Sequence, residues 1–153
     1  MRIQLALLSI YNIDLSFETI LSEDDLKTFI ELFTKRNSTL EREFRKESNK
    51  EFLEYYVEIV AHHFIFFLSS FQNPKIEIAK LIKSPLFFQF IFVDQLSNSP
   101  FTIRNTLEIY DSCTRLITND SPYLSESKIK HLASCSFTNV FTNRLFEVIQ
   151  ADS

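Results

Sequence analysis

The stretch that decides the fold is residues 73–117, which read NPKIEIAKLIKSPLFFQFIFVDQLSNSPFTIRNTLEIYDSCTRLI. Three prolines punctuate it, and each follows a small polar residue, in the pairs Asn73-Pro74, Ser84-Pro85 and Ser99-Pro100. Proline suits the first position of a helix because that position needs no N–H, and Asn or Ser before it can cap the helix. The pairs therefore predict helices over 74–83, 85–96 and 100–118. Ser121-Pro122 predicts another, starting at Pro122 or Ser125.

Glycine is absent from all 153 residues, although about 7% would be ordinary. Phosphate-binding loops, dinucleotide fingerprints, nucleophile elbows and calcium-binding loops need glycine for tight turns or close backbone approach. These classes of site are excluded, and short hairpins are disfavoured. The composition thus predicts an all-α protein. We expect asparagine to take the left-handed position at helix ends, and the candidates are Asn37, Asn73, Asn98 and Asn119.

Helical periodicity extends to both sides of this stretch. It predicts a short apolar helix over 2–12, and a helix that starts at Ser22, buries Leu26, Phe29, Ile30 and Phe33, and stops at Asn37. A long helix follows over 38–71, with a break near Ser48-Asn49, and a last one covers 137–149. The first part of the long helix, 40–50, alternates in charge and predicts a solvated surface with ion pairs one turn apart. Its second part is strongly apolar and predicts a buried helix.

Residues 99–110, SPFTIRNTLEIY, resemble the helix starts of HEAT and armadillo repeats, where a proline-opened helix carries Arg or Asn near its first turn. Arg104 and Asn105 are those residues here. The resemblance spans about 45 residues. It implies a right-handed stack of antiparallel helices, about seven or eight in this chain, that presents a surface to another macromolecule. The glycine that armadillo repeats usually place between their first two helices is missing.

A compact helical bundle is the alternative, for instance a viral Bcl-2-like module with a buried central helix. Phe52–Phe71 or Leu86–Leu96 would be the buried central helix, and a groove would hold an amphipathic partner helix. The Gly-Arg motif of the cellular members is absent, as the lack of glycine requires.

Length and charge limit the classes of function that the chain can have. The chain suits one all-helical domain over 1–153, either complete or part of a larger assembly. A net charge of −4 disfavours nucleic acid as a partner. The apolar runs Ile59–Phe71 and Leu86–Val93 are too short to span a membrane. Cys113 and Cys135 have no metal-binding spacing and predict free thiols, hence an intracellular protein of the cytoplasm or nucleus.

The titratable residues predict no catalytic, cofactor or metal site. His62 and His63 point about 100° apart on a helix. Glu58 and His62 share a face, but no third ligand is evident, so the histidine is expected to pair with Glu58. Cys113 lacks a neighbouring histidine that would activate it. An enzyme of a helical class is therefore only the third hypothesis.

Two polar stripes at helical spacing are the predicted partner-binding surfaces. The first polar stripe comprises Glu51, Glu54, Glu58 and His62, and the second comprises Arg104, Glu108, Asp111 and Arg115. Together with the helical-repeat resemblance, they predict a non-catalytic protein–protein interaction or scaffold domain. The apolar end of a stacked array would also favour self-association.

Overall fold

The computed structural model describes residues 20–70 and 73–116, except for the side chains of Cys113 and Leu116. The chain divides into two compact units, Met1–Thr106 and Leu107–Ser153. The elements below belong to the first unit, except for the last helix, whose residues from Leu107 onward belong to the second. Outside the described residues lie the predicted helices over 2–12, from Pro122 or Ser125, and over 137–149, as well as Phe71, Asn119 and Cys135. The single-domain assignment stays a prediction.

Helix α1, Glu23–Arg36, begins and ends where the sequence predicts. Ser22 accepts a hydrogen bond from the Asp25 backbone N–H, and the Asp25 carboxylate accepts one from the Ser22 backbone N–H. This reciprocal pair is a capping box, which satisfies donors that the first helical turn leaves unpaired. The predicted apolar stripe is confirmed, because all four of its residues are buried.

The long predicted helix is broken, as expected near Ser48-Asn49. Helix α2 covers Ser38–Phe44, a 3₁₀ turn covers Lys50–Phe52, and helix α3 covers Leu53–Leu68. At the break the Asn49 side chain donates to the Glu43 carbonyl oxygen at 3.2 Å. The ion pairs expected along the charged part are present, Arg45 with Glu41 and Lys46 with Glu43.

A small antiparallel sheet was not predicted. Strand β1, Ile20–Leu21, pairs with β2, Ile76–Glu77, so that Ile20 faces Glu77 and Leu21 faces Ile76. Leu21 and Ile76 are buried, and this burial keeps the preceding Pro74 out of a helix. The predicted start at Pro74 is therefore wrong. Helix α4 begins four residues later and covers Ile78–Lys83.

The helix start predicted at Ser84-Pro85 is confirmed, whereas the helix predicted from Ser99-Pro100 is present but starts three residues later than predicted. Helix α5, Pro85–Ile91, starts with proline at its first position, and the Ser84 hydroxyl accepts from the Leu86 N–H at 3.1 Å. It ends earlier than predicted and continues as turns. Ser99 caps a turn instead of a helix: its hydroxyl accepts from the Phe101 N–H, and helix α6, Ile103–Leu116, starts only beyond it.

The asparagine prediction is also wrong where helix ends are described. Asn37 does end α1, but its φ of −81° and ψ of 112° are extended and not left-handed. Its side chain accepts from the N–H groups of Thr39 and Leu40, so the same residue caps α2. Ser84 likewise ends α4 and caps α5. An extended residue with a capping side chain thus replaces the left-handed glycine at these corners.

Phenylalanine rings fill the core of the first unit. Helix α1 packs on α3, and α5 contributes Phe90, which is fully buried. The centroid of the Phe90 ring lies 4.8–6.1 Å from those of Phe29, Phe33, Phe64 and Phe101. These separations suit favourable aromatic pairs.

The described residues contain six α-helices and are 70% helical, which confirms the all-α class. Helix α3 buries Tyr56, Val57, Val60, Ala61 and Phe64, while its opposite side reaches solvent. The stacked arrangement, the helix count of the chain and the Bcl-2-like alternative stay predictions.

Candidate functional site

The first polar stripe lies along the outer side of α3. The buried residues of α3 fall at helical spacing on one face of the helix, and the opposite face therefore carries the polar side chains. Glu51, in the preceding 3₁₀ turn, and Glu54 are exposed, whereas Glu58 is half-buried. Tyr55 lies beside them with half of its surface, 50%, exposed. The sequence prediction omitted this tyrosine, although its spacing of four residues from Glu51 places it on the same face.

A lysine of α1 joins the stripe to the neighbouring helix. The Lys27 ammonium lies 2.7 Å from Glu23 Oε1 and 2.8 Å from Glu58 Oε1. Glu23 is one turn before Lys27 on α1, and Glu58 is on α3, so one ammonium bridges two helices. The hydrogen bond that Lys27 donates to Glu23, followed by the one that it donates to Glu58, raises the pKa of Lys27 above its ordinary value. The hydrogen bond from Lys27 in turn lowers the pKa of Glu23.

His62 completes the cluster. Its Nδ1 lies 2.8 Å from the Glu58 carbonyl oxygen and 3.5 Å from Glu58 Oε2, and its Nε2 lies 3.5 Å from Glu23 Oε1. The predicted pairing with Glu58 is therefore present. The pattern also predicts a partly buried histidine, and that part is wrong because His62 is exposed. The side-chain ligand atoms of Glu23, Glu58 and His62 lie within 4.8 Å of one another. We call these three residues with Lys27 the α1–α3 cluster.

The sequence prediction missed Glu23 and Lys27. The place of Glu23 in the first turn of α1 accounts for this residue by itself, because negative charge is favoured at a helix N-terminus. A usable signal was present: Glu23 and Lys27 are one turn apart, and so are Glu58 and His62. The packing of α1 on α3, which brings the two pairs together, cannot be deduced from either pair.

His63 behaves differently from its neighbour. Its ring points inward, with its centroid 5.1 Å from that of Phe67 and 5.0 Å from that of Phe101. Burial lowers the pKa of His63 to about 4. The side chain is therefore neutral at pH 7 and lies half-buried at the edge of the aromatic core, which agrees with the expectation that adjacent histidines diverge. His131 lies outside the described residues.

The second polar stripe lies on α6. Arg104, Glu108, Asp111 and Arg115 are all exposed, and Arg115 Nε donates to the Asp111 carbonyl oxygen at 3.2 Å. Arg104 belongs to the first compact unit and the other three residues belong to the second. All four side chains therefore reach solvent.

One shallow depression lies beside the break between α2 and α3. Its volume is about 180 Å³, below the roughly 300–1,000 Å³ of typical small-molecule sites. It is lined by Thr34, Lys35, Glu41, Phe44, Arg45 and Leu53. Within the described residues, every buried side-chain nitrogen and oxygen has a hydrogen-bond partner. The described interior therefore offers no orphaned polar group toward a ligand, and the candidate site is the surface of α3.

Across residues 20–70 and 73–116, no helix combines the length and the hydrophobicity needed to cross a membrane. Comparison with protein-family models, with curated proteins and with solved structures finds no match to this chain.

Proposed function

We propose that the protein is a non-catalytic protein-interaction domain whose outer α3 surface binds a basic segment of a partner protein. The observation that carries the proposal is the exposure of Glu51, Glu54 and Tyr55 along one side of a helix whose other side is anchored in the core. Carboxylates attract a basic segment and fix its register. Tyrosine is enriched at protein interfaces because it buries a large area and keeps a polar end.

The rigidity of this surface supports the same proposal. Lys27 ties Glu58 to α1, and the buried side of α3 packs against the aromatic core. The backbone of such a helix is already fixed before binding, so no backbone ordering is required on association. The proposed contact residues, Glu51, Glu54 and Tyr55, have no part in the α1–α3 cluster, so they can be changed without breaking its ion pairs.

The proposal extends to finer architecture and to location. We propose that the helices belong to a right-handed armadillo- or HEAT-like stack, in which long helices line the surface that binds partners. The two cysteines, which lack metal-binding spacing, support an intracellular location in the cytoplasm or nucleus. The second polar stripe on α6 is proposed as a further contact surface, and self-association through an apolar end of the stack is part of the same proposal.

The test is quantitative capture of partners from native cell extract with matched variants. Charge reversal in Glu51→Lys with Glu54→Lys should remove at least one protein that the wild type retains in stoichiometric amount. Glu77→Lys is the control, because it makes the same kind of charge change at an exposed residue of β2, outside α3. Arg104→Glu and Arg115→Glu, made separately, test the second polar stripe.

Melting temperatures close to that of the wild type must accompany the loss, which separates a binding defect from unfolding. An identical set of captured proteins for the wild type and the α3 variant would refute the α3 surface. Unchanged capture by both arginine variants would refute the second polar stripe.

A further inference from the structure

We propose that Glu23, Glu58 and His62 form a binding site for a divalent transition-metal ion of the zinc class, at which the Lys27 ammonium is the competing cation. The inference does not depend on the proposed protein-interaction function. It goes beyond the sequence prediction, which found Glu58 and His62 on one face but no third ligand.

The third ligand comes from a different helix. Glu58 and His62 are one turn apart on α3, so their proximity follows from helical spacing alone. Glu23 is on α1, and its carboxylate reaches the same point only because α1 packs on α3. Catalytic zinc sites use three protein ligands and leave a fourth position open, as in His₂Glu. One nitrogen and two carboxylates give the same number of ligands here, with one histidine of that set replaced by a carboxylate.

The spacing of the ligand atoms suits a small tetrahedral ion. Bonds of about 2.0–2.2 Å to zinc place neighbouring ligand atoms roughly 3.3–3.6 Å apart. His62 Nε2 lies 3.5 Å from Glu23 Oε1. The Glu58 carboxylate lies 3.5 Å from the other ring nitrogen, Nδ1, so the ligand set closes when the Glu58 side chain rotates to bring an oxygen toward Nε2. Nitrogen in the ligand set favours zinc, nickel, cobalt or copper over magnesium and calcium, which prefer oxygen alone.

The histidine is already oriented as a ligand. His62 Nδ1 lies 2.8 Å from the Glu58 carbonyl oxygen, and a carbonyl only accepts, so Nδ1 carries the proton. In the neutral ring, Nε2 then presents its lone pair toward a Glu23 carboxylate oxygen. Two acceptors that face each other are stabilised by a positive charge placed between them. Ligating histidines in metal sites donate their other N–H to a backbone carbonyl or carboxylate in this way.

The two carboxylates already hold a cation. Lys27 Nζ contacts the Oε1 atoms of both Glu23 and Glu58. A divalent ion would occupy the same space between these oxygens and add the His62 nitrogen, while the flexible lysine swings toward solvent. The exposed fractions of the Glu23, Glu58 and His62 side chains are 36%, 44% and 58%, so the ion can enter and keep water in its fourth position. The open site predicts micromolar affinity and not permanent occupancy.

The experiment is titration calorimetry of the full chain, without an affinity tag, using Zn²⁺ and separately Mg²⁺. We expect one-to-one binding of Zn²⁺ and no measurable heat with Mg²⁺. His62→Gln and Glu23→Gln should each weaken Zn²⁺ binding at least about tenfold, because each removes one of three ligands. Lys27→Gln should tighten it about tenfold or more, because the competing charge is gone. His131→Gln and the double variant Cys113→Ser/Cys135→Ser are controls for other zinc ligands and should bind as the wild type does.

The absorption spectrum of the Co²⁺ form gives a second readout, because nitrogen–oxygen coordination lacks the strong thiolate charge-transfer band. Thermal melting of each variant with chelator present confirms that it is folded. No Zn²⁺ binding by the folded wild type would overturn the proposal. So would affinity that is unchanged in His62→Gln and Glu23→Gln, or affinity that is unchanged or lower in Lys27→Gln.

Discussion

Tyr56 and His63 show how single polar side chains fit into an aromatic interior. The Tyr56 hydroxyl donates to the Phe101 carbonyl oxygen at 2.7 Å, and burial raises the pKa of that hydroxyl. His63 lies between aromatic rings, where its charged form loses hydration without gaining a counter-ion in the ring contacts described. A neutral polar group thus finds a partner or a ring to pack on, whereas a charged form would be destabilised.

His63 should make the protein sensitive to moderate acid. Its pKa is about 4 in the folded protein and about 6.5 when unfolded, so between these values the unfolded chain binds more protons. The free energy of unfolding therefore falls as the pH is lowered from about 6.5 to about 4, by up to about 3 kcal/mol, and levels off below. Urea denaturation across this range, with chelator present, measures the effect.

His63→Phe is the matched variant, because it keeps a flat ring and removes the titrating group. Its curve of unfolding free energy against pH should be flatter than that of the wild type between pH 6.5 and pH 4. Parallel curves for the two proteins would show that His63 does not cause the acid sensitivity.

The sequence was informative about side chains whose partners are near in the chain. The pairing of Glu58 with His62 and the divergence of His62 from His63 follow from helical geometry and were predicted. Glu23 and Lys27 were missed as members of the same cluster because their role depends on which helices pack together. Tyr55 was missed because the predicted stripe contains only acidic residues and a histidine.

Helix starts were predictable where a side chain could cap the first turn and no strand pairing or turn fixed the backbone that follows. Ser22 and Ser84 were both identified correctly. Pro74 and Pro100 were not helix starts, although each has the same kind of preceding residue. The β1–β2 pairing fixes the backbone just after Pro74, and the turn closed by Ser99 places Phe101 in the core before α6 can start. In both cases, contacts with residues distant in the sequence shifted the start of the helix.

Removing the Ser22 cap should destabilise the first unit. Ser22→Ala removes the hydroxyl that accepts from the Asp25 N–H at 3.2 Å and donates to the Asp25 carboxylate at 2.7 Å. We expect the free energy of unfolding to fall by about 1 kcal/mol, measured by urea denaturation. Ser38→Ala is the control, since Ser38 is exposed and Asn37 provides the cap of α2. It should change stability by less than about 0.5 kcal/mol. Equal losses in both variants would contradict a capping role for Ser22.

The arrangement of the helices is where sequence analysis was weakest. Helical periodicity identified the residues that face inward, but it carries no information on which inward faces meet. The abundance of one residue type adds to this difficulty: the chain has 17 phenylalanines, and any two apolar faces could bring such rings together. The class could therefore be predicted, whereas the contact of α1 with α3 and the small sheet could not.

Phe90 should be a main determinant of stability, because four other phenylalanine rings surround it. Phe90→Ala should lower the free energy of unfolding by about 3–5 kcal/mol through lost burial and the cavity left behind. Phe88 is the matched control on the same helix, with 53% of its surface exposed, and Phe88→Ala should cost less than about 1 kcal/mol. Both losses of unfolding free energy are measured from the shift of the denaturation midpoint, provided that the m-value is unchanged. Similar losses would contradict the assignment of Phe90 to the centre of the core.

The joints at Asn37 and Ser84 determine where this chain can change length. At each joint the backbone N–H of one residue bonds to the helix before it, and its side chain accepts from the helix after it. An inserted residue would divide these two tasks between neighbours, and a deletion would leave one helix end without its partner. The connection between α1 and α2, and likewise that between α4 and α5, therefore cannot gain or lose a residue without losing one of these hydrogen bonds. Insertions are better tolerated near Glu47 and Ser48, which are exposed. The turn at 92–102 tolerates them less well, because Ser99 donates to the Gln89 carbonyl oxygen of α5 and its own carbonyl oxygen accepts from the Asn105 side chain of α6.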